Sequence, residues 1–325
     1  MRAAFGAALF AMAIGITAGD GALAADAFPN RPIKIVVNTA PGGFTDLMAR
    51  LAAQYVGDCL KQPVIVDNRA GGDGMIAIRF VKSSPADGYT LLAATGTAAQ
   101  QQMALREDPG YDLLKDFTGI GIITRTPFLM VVGAGQPDKT VADFIACAKA
   151  NPAKLTFVSV GVGTVPYFAS ERFLQALGVK VLHVPYKGNA PALPDVISGR
   201  VDVIFDTYRS SIGQIKAGQF RVLGVTSSAR LPVLPDVKTL IEQGTPGYSY
   251  YTWVCLLAPA GTPPAVMQRL SDSLKYAKAK AEVKERFRNK GMESVDMTPA
   301  QFNQFLANEV TQNRKIVADL HLEKQ

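Results

Sequence analysis

Val36-Val37-Asn38-Thr39-Ala40-Pro41-Gly42-Gly43-Phe44-Thr45-Asp46 decides how this chain folds. A β-branched run enters a proline and two glycines. Behind them Leu47, Leu51, Val56 and Leu60 recur at three-to-five-residue steps, with Tyr55 widening the apolar stripe. Strand, tight turn and amphipathic helix therefore follow one another without a gap. Such an order gathers the unpaired N–H groups of a helix start beside the positive end of its dipole, a seat for an anion. Ordinary βα turns use glycine in the same way, so one copy is weak evidence. The second copy shifts the balance. Leu155-Thr156-Phe157-Val158 runs into Ser159-Val160-Gly161-Val162-Gly163-Thr164-Val165-Pro166, and Phe168, Phe173, Leu174 and Leu177 mark the helix behind it.

Outward from these two turns, strands are expected at 63–67, 89–94, 181–185, 201–205, 221–226 and 253–258. Helices are expected at 75–83, 141–151, 191–198, 212–217, 265–289 and 299–320. Strands alternating with helices predict an α/β fold of mainly parallel sheets with helices on both faces. The β-rich run 120–132, interrupted at Thr124-Arg125-Thr126-Pro127, is long enough to cross between two domains, and the strand at 221–226 to return. Domain I then comprises 25–123 and 226–325, domain II 124–225, and the two glycine turns are expected to face each other across a cleft beyond the strand ends.

The chain has 325 residues and 48% hydrophobic content, enough for two cores. Arg2, an apolar run over 3–18 and the small-x-small triplet Ala22-Leu23-Ala24 read as a secretory signal peptide at 1–24. A formal charge of +7 is scattered and forms no polybasic run, so nucleic acid is not the expected partner. Cys59, Cys147 and Cys255 are odd in number and lack metal-ligand spacing; no metal or other cofactor is expected. Cys59 and Cys147 are each read as a small buried hydrophobe, with a disulfide between them as the alternative.

Catalytic motifs are missing where they should stand. Gly161-Val162-Gly163-Thr164-Val165-Pro166 puts proline in place of the third glycine of a dinucleotide fingerprint, and no Gly-Lys-Ser/Thr follows either turn. Phe157 before Ser159 breaks the nucleophile-elbow pattern. Of two histidines, His321 lies in the tail, and His183 sits within a strand, where it reads as a packed or hydrogen-bonded residue. What remains is backbone donors and hydroxyls: Gly42, Gly43, Phe44 and Thr45 on one side, Ser159, Gly161, Gly163 and Thr164 on the other, with Thr97 lining the same mouth. Neutral donors of this kind hold a carboxylate without transforming it. Gly163→Val is accordingly expected to abolish binding by blocking close backbone approach while leaving the fold intact.

Further stretches fall into the same pattern: Ala40-Pro41-Gly42-Gly43-Phe44-Thr45-Asp46, Val66-Asp67-Asn68-Arg69, Ala86-Asp87-Gly88-Tyr89-Thr90, Gly161-Val162-Gly163-Thr164, His183-Val184-Pro185-Tyr186-Lys187-Gly188, Asp206, and Leu257-Ala258-Pro259-Ala260-Gly261-Thr262-Pro263. Their order and sequence resemble the periplasmic solute-binding receptors of tripartite tricarboxylate transporters, the Bug or TctC-like proteins. The resemblance implies a two-domain periplasmic-binding-protein fold of the type II, Venus-flytrap kind. It also implies a monomer that delivers a small carboxylate to a membrane permease of one large and one small subunit, catalysing nothing. Loops matching 40–46, from Ala40 to Asp46, and 159–164 would act as pincers on one carboxylate, partly through ordered water. The same fold serving as a sensor docked on a membrane signalling protein is the alternative; an exported enzyme is a third, disfavoured by the missing motifs.

Departures bear on the solute. Asn38-Thr39 stands where relatives usually carry Pro-Phe, Phe44 where they carry a small residue, and Thr207, Tyr208 and Arg209 follow Asp206 in place of Asn-Leu-Pro. Phe44 either packs on an apolar or aromatic part of the ligand or lines the cleft away from it. Arg209 either pairs bidentately with a second carboxylate or is a solvated loop charge. A dicarboxylate, aliphatic or aromatic, is the resulting expectation.

Overall fold

β1 (Ile33–Val37) carries no polar alternation that would mark a solvent face; Ile33, Ile35, Val36 and Val37 are all buried. A strand covered on both faces suits the middle of a parallel sheet, and in the computed structural model, which describes residues 28–324, that is its place. The signal peptide read at 1–24 lies outside the described residues. β1 is followed by α1 (Phe44–Leu60) and pairs in parallel with β2 (Val64–Asn68) and β3 (Thr90–Thr95), with α2 (Met75–Lys82) between those two. α3 (Gly96–Leu105) leads from β3 towards β4 (Phe117–Gly133).

The second half repeats the scheme. After α4 (Val141–Ala150), β5 (Thr156–Ser159) leads into α5 (Val165–Leu177), β6 (Leu182–Pro185) into α6 (Asn189–Ser198), and β7 (Val203–Thr207) into α7 (Tyr208–Lys216). β5 pairs in parallel with β6 and β7. β8 (Phe220–Val225) and β9 (Tyr251–Pro259) complete the strands. The helices α8 (Pro264–Ala279), α9 (Ala281–Asn289) and α10 (Pro299–Asp319) close the chain.

The parallel cores are joined by antiparallel strands. β4 is seventeen residues long; its first half pairs with β9 and its second with β7 and β8. A chain that leaves one sheet along β4 and returns along β9 beside it must run in opposite directions on the two passes, which is why these pairings are antiparallel. The interruption expected at Thr124–Pro127 is not a break: Thr124, Arg125, Thr126 and Pro127 pair with Val254, Trp253, Thr252 and Tyr251, and only a register shift between Ile122 and Thr124 marks the spot.

Each sheet carries its own core. α1, α8 and α9 cover the first, where Leu51, Val56, Leu270 and Phe287 meet Ile35 and Val254. The single helix expected over 265–289 is two, divided at Lys280 (ψ 132°), and the bend turns Val283 and Phe287 into this core. α5 covers the second, with Phe168 and Phe173 on Phe157 and Phe205. Leu240, Tyr248 and Tyr250 join that second cluster, so the stretch between β8 and β9 also packs there. α10, opened by a capping box between Thr298 and Gln301, reaches both sheets: Phe302, Leu306 and Val310 lie with Trp253 in a cluster on the other face of the first, and Ile316 and Val317 with Phe173 on the second. The cysteines are free; Cys59 is exposed on α1 and Cys147 half-buried, so neither is the buried hydrophobe expected of it, while Cys255 is buried.

One buried side chain ties the crossing together. Thr226 Oγ1 accepts from Phe128 N (2.8 Å) and donates to Tyr250 O (2.6 Å), linking β4 to the approach of β9. Thr226→Val keeps the volume but strands the Phe128 N–H and Tyr250 carbonyl in the core. It should lower the unfolding free energy by about 2 kcal/mol, read from urea unfolding.

Candidate functional site

The first glycine turn is held by Asp46. Gly42 takes a left-handed φ of +82°, which lets its N–H point back at the carboxylate one helical turn ahead. Asp46 Oδ2 accepts from Gly42 N (2.9 Å) and Arg50 Nε (3.0 Å), and Oδ1 from Asn68 Nδ2 (2.8 Å) at the end of β2. Burial alone would raise the pKa of this carboxyl, which is 1% exposed, but Arg50, the Gly42 N–H and Asn68 outweigh it and hold the group below the usual carboxylate range. Two of the donors expected to face an anion are thereby engaged: Gly42 on Asp46, and Gly43 on the carbonyl of exposed Ala40 (3.3 Å). The N–H groups of Phe44, Thr45 and Asp46, in the opening turn of α1, keep no acceptor among the described residues. Thr45 Oγ1 lies 2.7 Å from Thr95 Oγ1, joining the turn to the end of β3.

The second turn has its own bracket. Gly161 (φ +124°) and Gly163 (φ +81°) both stand where a Cβ would be strained. Ser159 Oγ accepts from Gly161 N (3.1 Å), Thr164 Oγ1 donates to Gly161 O (2.6 Å), and Val162, Gly163 and Val165 keep free N–H groups among the described residues. Gly163 faces Leu105 of α3; an added Cβ would lie 2.3 Å from Leu105 Cδ1. His183 is packed and hydrogen-bonded, stacked on Phe157 and edge-on to Tyr167, with its Nε2 2.7 Å from Ser159 Oγ. Burial lowers its pKa. This Ser–His contact went unseen in the sequence because 24 residues separate the partners. Ser159 is 1% exposed, and its hydroxyl serves the turn.

Other expected residues fall into structural contacts. Thr97 is buried, and its Oγ1 accepts from Trp253 N (3.1 Å), stitching α3 to β9. Asp206 is buried at the end of β7 and accepts from Ser211 Oγ (2.7 Å). Tyr208 packs on the turn after α9, where a Cβ on Gly291 would come within 2.9 Å of Tyr208 Cβ.

Phe44 and Arg209 are brought together. They line one cavity of about 400 Å3 with Thr126 and Thr252 of the crossing strands, Thr207 and Ser210 of the second lobe, and Lys290 and Met292 behind α9. No carboxylate is among these lining residues. Neither Arg209 nor Lys290 makes an ion pair among the described residues, and the Thr126 hydroxyl, 4% exposed, has no hydrogen-bond partner there. Lys290, Met292 and Thr252 escaped the sequence, since they lie far along the chain and only the fold brings them to Phe44. Two roomier hollows, of about 640 and 810 Å3, flank α10 and touch neither glycine turn. Among the described residues no cluster of His, Cys, Asp and Glu is suited to a metal, and no helix is long and apolar enough to cross a membrane.

Known proteins share this fold. The family model for the "Tripartite tricarboxylate transporter family receptor" matches residues 48–322. A protein from Pseudomonas sp. (strain P51), encoded in the tcbD-tcbE intergenic region, is 36% identical over 299 residues, covering 91% of this chain and 88% of its own. Rpa4515 of R. palustris, solved with adipate, superposes with a TM-score of 0.73 at 32% identity, covering 90% of this chain and 97% of its own. MatC from Rhodopseudomonas palustris, with bound malate, gives 0.69 at 29% identity, covering 89% and 100%. Two glycine turns on paired α/β sheets, an interlobe cavity and a match along most of the sequence agree: the chain belongs to the receptors of the tripartite tricarboxylate transporter family.

Proposed function

We propose that this chain is a periplasmic receptor that captures a small carboxylate, most simply a dicarboxylate, between its lobes. It then delivers the solute unchanged to a permease of one large and one small membrane subunit. The observation that carries this reading is the interlobe cavity, where Arg209 and Lys290 lack ion-pair partners among the described residues and no acidic side chain joins the lining. The free N–H groups that open α1 and those of the second turn supply neutral donors for one carboxylate. The cations supply the counter-charge for another. Relatives bound to adipate and malate support the same chemical class. In this reading the cleft pincers comprise Ala40 to Asp46 and Ser159 to Thr164. Asp46 and Ser159 act by holding their turns, and Thr97, Asp206 and Tyr208 support the walls.

Native mass spectrometry of the protein as purified, then calorimetry after unfolding and refolding to strip bound solute, tests the reading. A captured diacid at a hundredfold excess over Kd should stabilise the fold by about 2.7 kcal/mol, seen as a raised Tm. Chemical turnover of the solute, or indifference to every carboxylate offered, would sink it.

A further inference from the structure

Lys290 sits on the turn that follows α9, and it shares the interlobe cavity with Arg209 in the first turn of α7. The two cations thus come from opposite lobes. The turn that carries Lys290 is fixed by the residues that follow it. Gly291 (φ +65°) lets the turn close against Tyr208, the neighbour of Arg209. Glu293 is laid along β4 by Arg125, through backbone bonds of 2.8 and 3.0 Å and an ion pair of 2.7 Å. From β4 itself the same cavity is lined by Thr126, whose buried hydroxyl has no partner among the described residues. A buried hydroxyl without a partner is costly, while Lys290 and Arg209 are exposed and keep their charges in water. One carboxylate satisfies the hydroxyl and pairs both cations, because it accepts from an ammonium, a guanidinium and a hydroxyl together.

We propose that Lys290 and Arg209 jointly clamp the second carboxylate of the solute, with Thr126 donating the third hydrogen bond. The clamp rests on the receptor reading and adds its selectivity: the far end of the diacid is read from both lobes at once, so it ties them together. Phe44 and Met292 line the same cavity and offer an apolar wall to the carbon chain between the two carboxylates. A solute whose far end is neutral leaves the cations unpaired and holds the lobes through one end only.

Calorimetry decides it. Diacids of four to six carbons, malate and adipate among them, are titrated into wild type, and the tightest is compared with its own monoamide in wild type, Lys290→Met, Arg209→Met and the double variant. Lys290 is exposed, so Lys290→Met should keep the wild-type Tm. It should weaken the diacid roughly 10–100-fold while changing the monoamide less than about twofold, with Lys290→Arg restoring most of the loss. The double variant should lose less than the product of the two single losses, because one carboxylate serves both cations. Equal losses for diacid and monoamide, or a diacid affinity untouched by Lys290→Met, would overturn the clamp and leave the receptor standing. Wild-type protein that binds neither compound overturns the receptor reading and the clamp with it.

Discussion

Asp46→Ala should lower the unfolding free energy by about 3 kcal/mol and abolish solute capture. The side chain is buried and accepts three kinds of donor: a backbone N–H from the turn it follows, the Arg50 guanidinium and the Asn68 amide. Removing it frees the Gly42 N–H and leaves the Asn68 amide only the Thr39 carbonyl (3.1 Å) to hold at the turn, so the N–H groups of Phe44 and Thr45 lose their fixed direction. Arg50 is half exposed and can turn to water, which limits the cost on that side. The pH dependence has a definite sign. The folded carboxyl has a lowered pKa, so its contribution is complete above the unfolded value of about 3.9 and fades as pH falls through the folded one. Urea unfolding from neutral pH down to about pH 3 should show an acid loss in wild type that Asp46→Asn largely lacks. Identical acid limbs would remove Asp46 from the account of stability.

Gly163→Val is the second large effect, and here the structure revises the sequence. The expectation was lost binding on an intact fold. Gly163 is buried against Leu105, however, and its φ of +81° is one that a β-branched residue adopts only under strain. Left-handed backbone costs about 1–2 kcal/mol, and forcing Leu105 Cδ1 aside in a packed cluster adds roughly 1–3 kcal/mol. Thermal unfolding should therefore fall by several degrees together with affinity, and Gly163→Ala should show a smaller drop in both. A wild-type Tm in Gly163→Val would mean that the second turn does not press on α3.

Legibility followed the range of each interaction. The stripe of Leu47, Leu51 and Leu60 and the β-branched run of β1 are local, and both formed where their spacing placed them. The long run that became β4 was readable as a crossing because no single sheet needs so extended a strand. Its pairing with β9, more than 120 residues away, was not. Asp46 entered the ligand pincer through the resemblance alone, as the last residue of the matching loop. Its actual partners, Gly42, Arg50 and Asn68, include one that arrives from the next strand. Thr97 was placed at the mouth by its position after β3, yet its hydroxyl found Trp253 instead.

Taken alone, the sequence determined the two strand–glycine–helix turns, the α/β alternation around them and the kind of ligand that free amides attract, because periodicity and backbone preference act over a few residues. Only the tertiary structure decided which groups meet: that Lys290 stands in one cavity with Arg209, Thr126 and Phe44, and that Gly163 abuts Leu105. Contacts between residues distant in the chain arise when whole elements pack their apolar faces, and that packing sets positions which no local pattern encodes.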